Sequence, residues 1–443
     1  MPSQLDQCTL SSDGVDVGVG GRGAEAKRWE PSNLRCDNRL ATHQGMQFPI
    51  VSLTMFFPLG TVLSASLFLL SIPVAEAICV KPAVRREWRT LSVAERTEWI
   101  DAVKCLANLP HDTALTPTVK RSISNIPPIN SSSSYYDDFV YMHMVSVIRL
   151  LFECTTLMRY MTNAGADLNT RIHFTGLFLP WHRWYVAVYE SALKSRCGFT
   201  GTSPYWNWVE DSKDVFDSVM FRDSNPVSGL GGWGDPSNDV RVPDGAFSDK
   251  SSFRLTYPSP HTLRRNWTMQ PYLNWPLDGF MTEADDQLDA NATFTPAERD
   301  KLVNGFVGDY KGFQSYFEGY NGSHGAVHLM VGGDLWGQCP GDAPPDCVGG
   351  PTFSPNDPLF WLHHGMVDKM WFDWQNKHPS NKKAFFGGSV QALDNSTYYH
   401  EFPNGAGPFY NISSTMPSDG LFPPPKISDV LSTTDGMLCY VYE

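Results

Sequence analysis

The stretch from His173 to Glu190, H-F-T-G-L-F-L-P-W-H-R-W-Y-V-A-V-Y-E, sets two histidines among aromatic and aliphatic residues. Histidines recur downstream as His324-x-x-x-His328 and as the adjacent pair His363-His364. An imidazole in such surroundings is either a core residue bonded to a carbonyl or a metal ligand, and any one taken alone is better read as core. The H-x-x-x-H spacing puts two rings one turn apart on one helical face. It lacks the glutamate of H-E-x-x-H, so the general base of a zinc peptidase is missing. Neighbouring helical positions point about 100° apart, so His363 and His364 are not expected to share one ion. Asp368, at i+4 from His364, shares its face and is placed to orient a ligand imidazole through a hydrogen bond. His143 falls on an inward stripe with Phe139, Met142, Val147 and Leu150.

These side chains need helices to hold them. Pro180 belongs in a first helical turn, so a helix begins near it and runs through Tyr185, Val188 and Leu193. His173 lies nine residues before His182, and on one continuous helix the two rings would face opposite ways. His173 must therefore come from a preceding loop. Upstream, Ser92-Val93-Ala94-Glu95 is a capping box ahead of apolar Trp99, Val103 and Leu106. Residues 107–135 read as a loop, and Asp137 and Asp138 open the helix that carries His143. Asp357 is placed as an N-cap with Pro358 at the first helical position. Residues 208–321, rich in Gly, Pro, Asp, Asn and Ser, read as long surface loops, which are unusual unless they build a site. The expected fold is mainly α with little β, a four-helix bundle with a dinuclear metal centre surrounded by long loops. An all-imidazole donor set suits copper and argues against structural zinc, iron-sulfur, calcium or magnesium. Six histidines in two groups of three leave each ion an open position, which an oxygen-binding site requires.

The whole chain has 443 residues, of which 42% are hydrophobic, and a net charge of -13. No concentration of positive charge offers a nucleic-acid or anionic-membrane surface. Residues 48–75 carry no charge and end in Ala75-Glu76-Ala77, which reads as a signal peptide cleaved after Ala77, with an uncleaved anchor over 48–75 as the alternative. A signal peptide belongs near the initiator, so Met55, or less neatly Met46, is a candidate start. The expected organisation is residues 1–77 as extension and signal and 78–443 as one catalytic domain. Secretion without stable membrane association follows if the signal is cleaved. Seven cysteines follow Ala77, and N-x-S/T acceptors begin at Asn130, Asn266, Asn291, Asn321, Asn395 and Asn411. Cys339 and Cys347 flank a turn-rich loop suited to a local disulfide, and Cys79 and Cys439 sit where they could join the two ends.

H-x4-F-L-P-W-H-R-x2-V-x3-E and D-P-L-F-W-L-H-H-x3-D resemble the two signatures of the tyrosinase family of type-3 copper proteins. The likeness runs from about Cys79 to Gln375 and is closest to short secreted fungal tyrosinases and catechol oxidases. It implies two copper ions, dioxygen as co-substrate and a small phenolic substrate oxidised to an o-quinone. His143, His173 and His182 would hold the first copper and His324, His328 and His364 the second, with His363 as the family's non-ligand histidine. Arg171 stands where many relatives have a cysteine that forms a thioether to the second ligand, so no such crosslink is expected. Only 79 residues follow His364, too few for the lid domain of other relatives. In members that hydroxylate monophenols readily, a glutamate upstream of the second group and an asparagine after its first histidine hold a basic water. Glu318 matches the glutamate, but Gly325 replaces the asparagine, so oxidation of o-diphenols is expected to exceed monophenol hydroxylation, with o-aminophenols also in range. The alternatives are a full tyrosinase with strong monophenol hydroxylation and a haemocyanin-like oxygen carrier, which uses the same six histidines. A secreted zinc hydrolase, lacking its acidic residue, ranks below both.

Overall fold

Ser92 opens the first helix with the reciprocal bonding its spacing to Glu95 predicts. Its Oγ accepts from Glu95 N at 3.3 Å, and the Glu95 carboxylate accepts from Ser92 N at 2.8 Å. The computed structural model describes residues 79–115, 129–145, 172–273, 287–345, 347, 351–388, 400–402 and 404–443. In chain order its elements are β1 (Ala83–Arg85), α1 (Val93–Asn108), α2 (Tyr135–Val145), α3 (Phe178–Cys197), α4 (Val219–Arg222), α5 (Pro296–Asn304), α6 (Tyr310–Glu318), α7 (Ser323–Val331), α8 (Gly333–Trp336), α9 (Leu359–Lys377) and β2 (Tyr440–Tyr442), with short 3-10 turns between them. The uncharged run 48–75, Arg171, Cys154, Val147, Leu150 and Asn395 lie outside the described residues. Among those described, no helix is long and apolar enough to cross a membrane.

Helices α2, α3, α7 and α9 form the bundle that carries the histidines, and α3 packs on both α1 and α9. Pro180 sits in the first turn of α3, and Gly198, at φ 71°, ends that helix by letting its own N–H and that of Phe199 reach back to Lys194 and Leu193 carbonyls. Helix α9 starts one residue later than the sequence pattern places it. Asp357 Oδ1 still accepts from Leu359 N at 2.9 Å, while the same carboxylate is gripped by the buried guanidinium of Arg265. The bundle interior is aromatic: Trp181 stacks on Tyr185 with centroids 4.5 Å apart, and Tyr189 on Trp361 at 3.5 Å.

One correction concerns residues 208–321, which are not loops throughout. They contain α4, α5 and α6. Helix α5 buries only Leu302, too little to show an apolar period, yet Thr295-Pro296-x-Glu298 is a legible start in which Thr295 Oγ1 accepts from Glu298 N at 3.2 Å. Helix α6 does bury one face, through Tyr310, Phe313 and Phe317, but Gly312 in its first turn masks the pattern.

The two ends of the described chain meet. β1 and β2 pair in parallel with Ala83 opposite Tyr440, and Cys79 is bonded to Cys439. Cys339 and Cys347 close their local loop, and a third bridge, Cys105–Cys197, joins α1 to the end of α3.

Candidate metal centre

Seven buried histidines meet where the four helices cross. His143 from α2, His173 from the loop before α3, and His182 from α3 form one group, and His324 and His328 from α7 with His363 and His364 from α9 form the other. Within each group one nitrogen per ring lies within 4.8 Å of the others. The two groups touch: the rings of His182 and His364 stack with centroids 4.5 Å apart, and His173 faces His324 at 6.0 Å.

The backbone sets which nitrogen points inward. His182 Nδ1 bonds Phe178 O at 2.8 Å, one turn back on α3, and His328 Nδ1 bonds Leu335 O at 2.7 Å. Each Nδ1 is thereby a donor to a carbonyl, leaving Nε2 as the lone-pair nitrogen. The Nε2 atoms of His182 and His324 are buried without a hydrogen-bond partner, and those of His328 and His364 converge to 3.4 Å. Burial, reinforced for His182, His324 and His364 by neighbouring imidazoles, pushes these rings well below the usual histidine pKa, and burial takes His328 down to about 4. They are neutral donors at any physiological pH. Buried lone pairs converging without protons are what a metal ion needs and what a protein core otherwise avoids.

The family model for the common central domain of tyrosinase matches residues 133–377, more than half of the chain. The chain belongs to the tyrosinase family. Tyrosinase-like protein phomQ1 of Diaporthe leptostromiformis is 29% identical over 82% of this chain and 78% of its own length. N-acetyl-6-hydroxytryptophan oxidase ivoB of Emericella nidulans is 27% identical over 82% and 92%. A solved polyphenol oxidase from Thermothelomyces thermophila shares the fold, with a TM-score of 0.55 at 24% identity over 82% of this chain and 89% of its own.

All six histidines expected as ligands lie in the two groups of this tyrosinase-family centre. His363, expected outside the ligand set, stands in the second group as well, its ring 4.6 Å from that of His328. The donor set fits copper, being imidazole throughout with no carboxylate or thiolate in either group.

Asp368 does not orient an imidazole, which corrects its expected role. Its Oδ1 accepts from Arg183 Nε, and its Oδ2 accepts from Tyr440 at 2.5 Å, Tyr442 at 2.6 Å and Arg85 at 3.3 Å. It shares a helical face with His364, but two buried guanidinium groups compete for the short carboxylate and win, since a charge cannot stay buried unpaired. Burial alone would raise the Asp368 carboxyl, but Arg183 and Arg85 with the two phenols outweigh it and hold the carboxyl below its usual range.

Glu318, at the end of α6, is buried, and burial pushes it up to about 8 against the pull of Phe174 N and Lys311. Its Oε1 accepts from Phe174 N at 2.6 Å, and its other oxygen accepts from Gln314. Phe174 follows His173 and holds φ 54°, a conformation costly for a bulky residue, so Glu318 pins the strained loop that delivers His173. Gly325 lies in the first turn of α7, where an added Cβ would stand 3.5 Å from the Gly319 and Tyr320 carbonyls, an ordinary contact.

Proposed function

We propose that the chain is a dicopper phenol oxidase that takes o-diphenols to o-quinones with dioxygen, and monophenols only weakly. His143, His173 and His182 hold one copper, and His324, His328 and His364 the other. The convergence of two buried groups of imidazoles carries this reading. His364 is preferred to His363 because its Nε2 closes on His328 Nε2 and its ring bridges to His182. Copper, when bound, supplies the redox couple and the oxygen affinity. The protein keeps His182, His324, His328 and His364 neutral, fixes the tautomers of His182 and His328 through the Phe178 and Leu335 carbonyls, and shields the site with the rings of Phe178 and Phe360. One relative is named for a hydroxyindole, so the decisive panel compares catechols, o-aminophenols, simple monophenols and a hydroxyindole on copper-loaded protein. A protein that binds dioxygen but oxidises none of them is a carrier, and the proposal fails.

The weak monophenol branch rests on Gly325, which has no side chain to hold a basic water beside Glu318. General-base assistance is worth about 10²- to 10⁴-fold, and a catechol needs it less because its first proton leaves more easily. A Cβ at position 325 meets only ordinary contacts, and Gly325→Asn is expected to raise the monophenol-to-catechol rate ratio by on the order of tenfold or more. A wild type that already turns both over equally, with the ratio unchanged in Gly325→Asn, would show that this position does not set the preference.

The protein is also proposed to be secreted, with cleavage after Ala77, on the strength of the uncharged run and the A-E-A ending. N-terminal mass spectrometry of protein from the medium should begin at Ile78. Recovery only from detergent-solubilised membranes, with 48–75 intact, would establish the anchor instead.

A further inference from the structure

The orientation of His328 hangs on the Leu335 carbonyl, so the second histidine group depends on where the corner between α7 and α8 is held. Gly332 and Gly333 make that corner at φ 61° and 52°. A Cβ on either would come within 2.2 Å of a carbonyl, that of Asn266 or Arg264, so only glycine lets the corner press on residues 264–266. Asp334 N donates to Arg264 O at 2.9 Å, and Thr268 N to Met330 O at 3.0 Å. The side chain that ties the corner down is Asp334, next to Leu335 and buried. Its Oδ2 accepts from Arg264 N at 2.7 Å, and its Oδ1 stands 2.9 Å from His261 Nε2.

His261, also buried, has its other nitrogen 2.6 Å from Ser259 O. Both ring nitrogens thus face acceptors, and a neutral imidazole has one N–H to give; both bonds form only in the imidazolium. The remaining charges around the pair are accounted for. The Arg264 guanidinium, 3.8 Å from Asp334, is drawn to Asp239 and the Gln338 carbonyl, and Asp357, beyond the 3-10 turn packed on α8, is held by Arg265.

We propose that His261 and Asp334 form a charged latch that positions His328 through the Leu335 carbonyl, and that a histidine outside the ligand set thereby makes the second copper site sensitive to pH. The inference rests on His328 being a ligand. Its sign follows from His261. Burial would lower its pKa, but the charge and hydrogen bond of Asp334, with the Ser259 carbonyl, outweigh burial and Arg264 and raise it above the ordinary 6.5. The latch is therefore complete below 6.5 and is lost as pH climbs through the raised value. Imidazole ligands alone behave oppositely, binding metal better as pH rises and protons cease to compete. Loss of the second copper on the alkaline side is the signature of the latch.

The test compares wild type, His261→Gln and Asp334→Asn in two measurements. The first is the thermal unfolding midpoint of apoprotein from pH 6 to 9, which involves no copper. The second is the affinity for each copper by chelator competition at pH 6.5. Wild-type apoprotein should lose stability in an alkaline step that His261→Gln lacks. Both variants should keep the first copper and bind the second about 10- to 100-fold more weakly, the usual effect of removing a partner behind a ligand. Absence of that step in the wild type, a reading that needs no variant to fold, would overturn the latch. So would unchanged affinity for the second copper in variants that have lost the step. His328→Ala with both coppers retained would instead overturn the ligand assignment.

Discussion

Replacing His182 or His364 by alanine is expected to abolish phenol oxidation and remove about one copper per chain, with the far-ultraviolet dichroism of the helices unchanged. On the proposed assignment each ring supplies one of three donors to an ion, and two imidazoles on a buried ion would leave it weakly held and misplaced for catalysis. The folds of α3 and α9 do not depend on those donors. Helix α3 is anchored by its Gly198 stop, the Cys105–Cys197 bridge and buried Trp181, Trp184 and Tyr185, and α9 by buried Trp361, Trp371 and Trp374. The stack between His182 and His364 makes the two variants informative together, because each should lose the ion of its own group first. His363→Ala is the control, with most copper and activity retained. Full copper in His182→Ala or His364→Ala would sink the assignment, and loss of one ion in His363→Ala would show that the wrong member of the adjacent pair was chosen.

What was readable in the chain was local. The capping box at Ser92, the proline in the first turn of α3, the i, i+4 pair of α7 and the start of α9 are written within a few residues each, and the structure has the first three as expected and the fourth one residue later. The opposition of His173 and His182 on any continuous helix already required a loop, and the structure puts His173 in one. What was not readable is long in range. Arg85 and Asp368 are 283 residues apart, His261 and Asp334 are 73 apart, and neither pair leaves a period or a motif. Sequence spacing placed Asp368 on the face of His364 correctly and misjudged its partners, because the competing guanidinium groups arrive from elsewhere in the chain. Cys105 and Cys197 had no such clue as the turn-rich loop that joins Cys339 to Cys347. A hint for Asp368 did exist: Arg183 and Asp368 stand in the two histidine motifs, one residue after His182 and four after His364.

Asp368→Ala is therefore expected to act on stability first and on copper second. The carboxylate joins α9 to Arg183 on α3, to Arg85 on β1 and to Tyr440 and Tyr442 on β2, in the region where Cys79–Cys439 ties the chain ends. Among the described residues, removing it strands Arg183, fully buried, with only the Gln375 side chain, two carbonyls and the face of Trp371 around its charge. Arg85 fares better, since Glu190 still holds it at 2.9 Å. Breaking a buried ion pair from one side costs about 3–5 kcal/mol, and the unfolding midpoint should fall by on the order of 10 °C. Asp368→Asn, which keeps an acceptor for the phenols but loses the charge, should fall in between. Because the folded carboxyl is held below its usual range, its contribution is present above about pH 4 and is lost as pH falls through that depressed value, so the variant and wild type should converge only in strong acid. Copper should be held less tightly in step with the lost stability, since His182 adjoins Arg183 and His364 lies one turn from Asp368. An Asp368→Ala protein that melts with the wild type yet loses a copper would mean that the carboxylate acts on an imidazole directly after all.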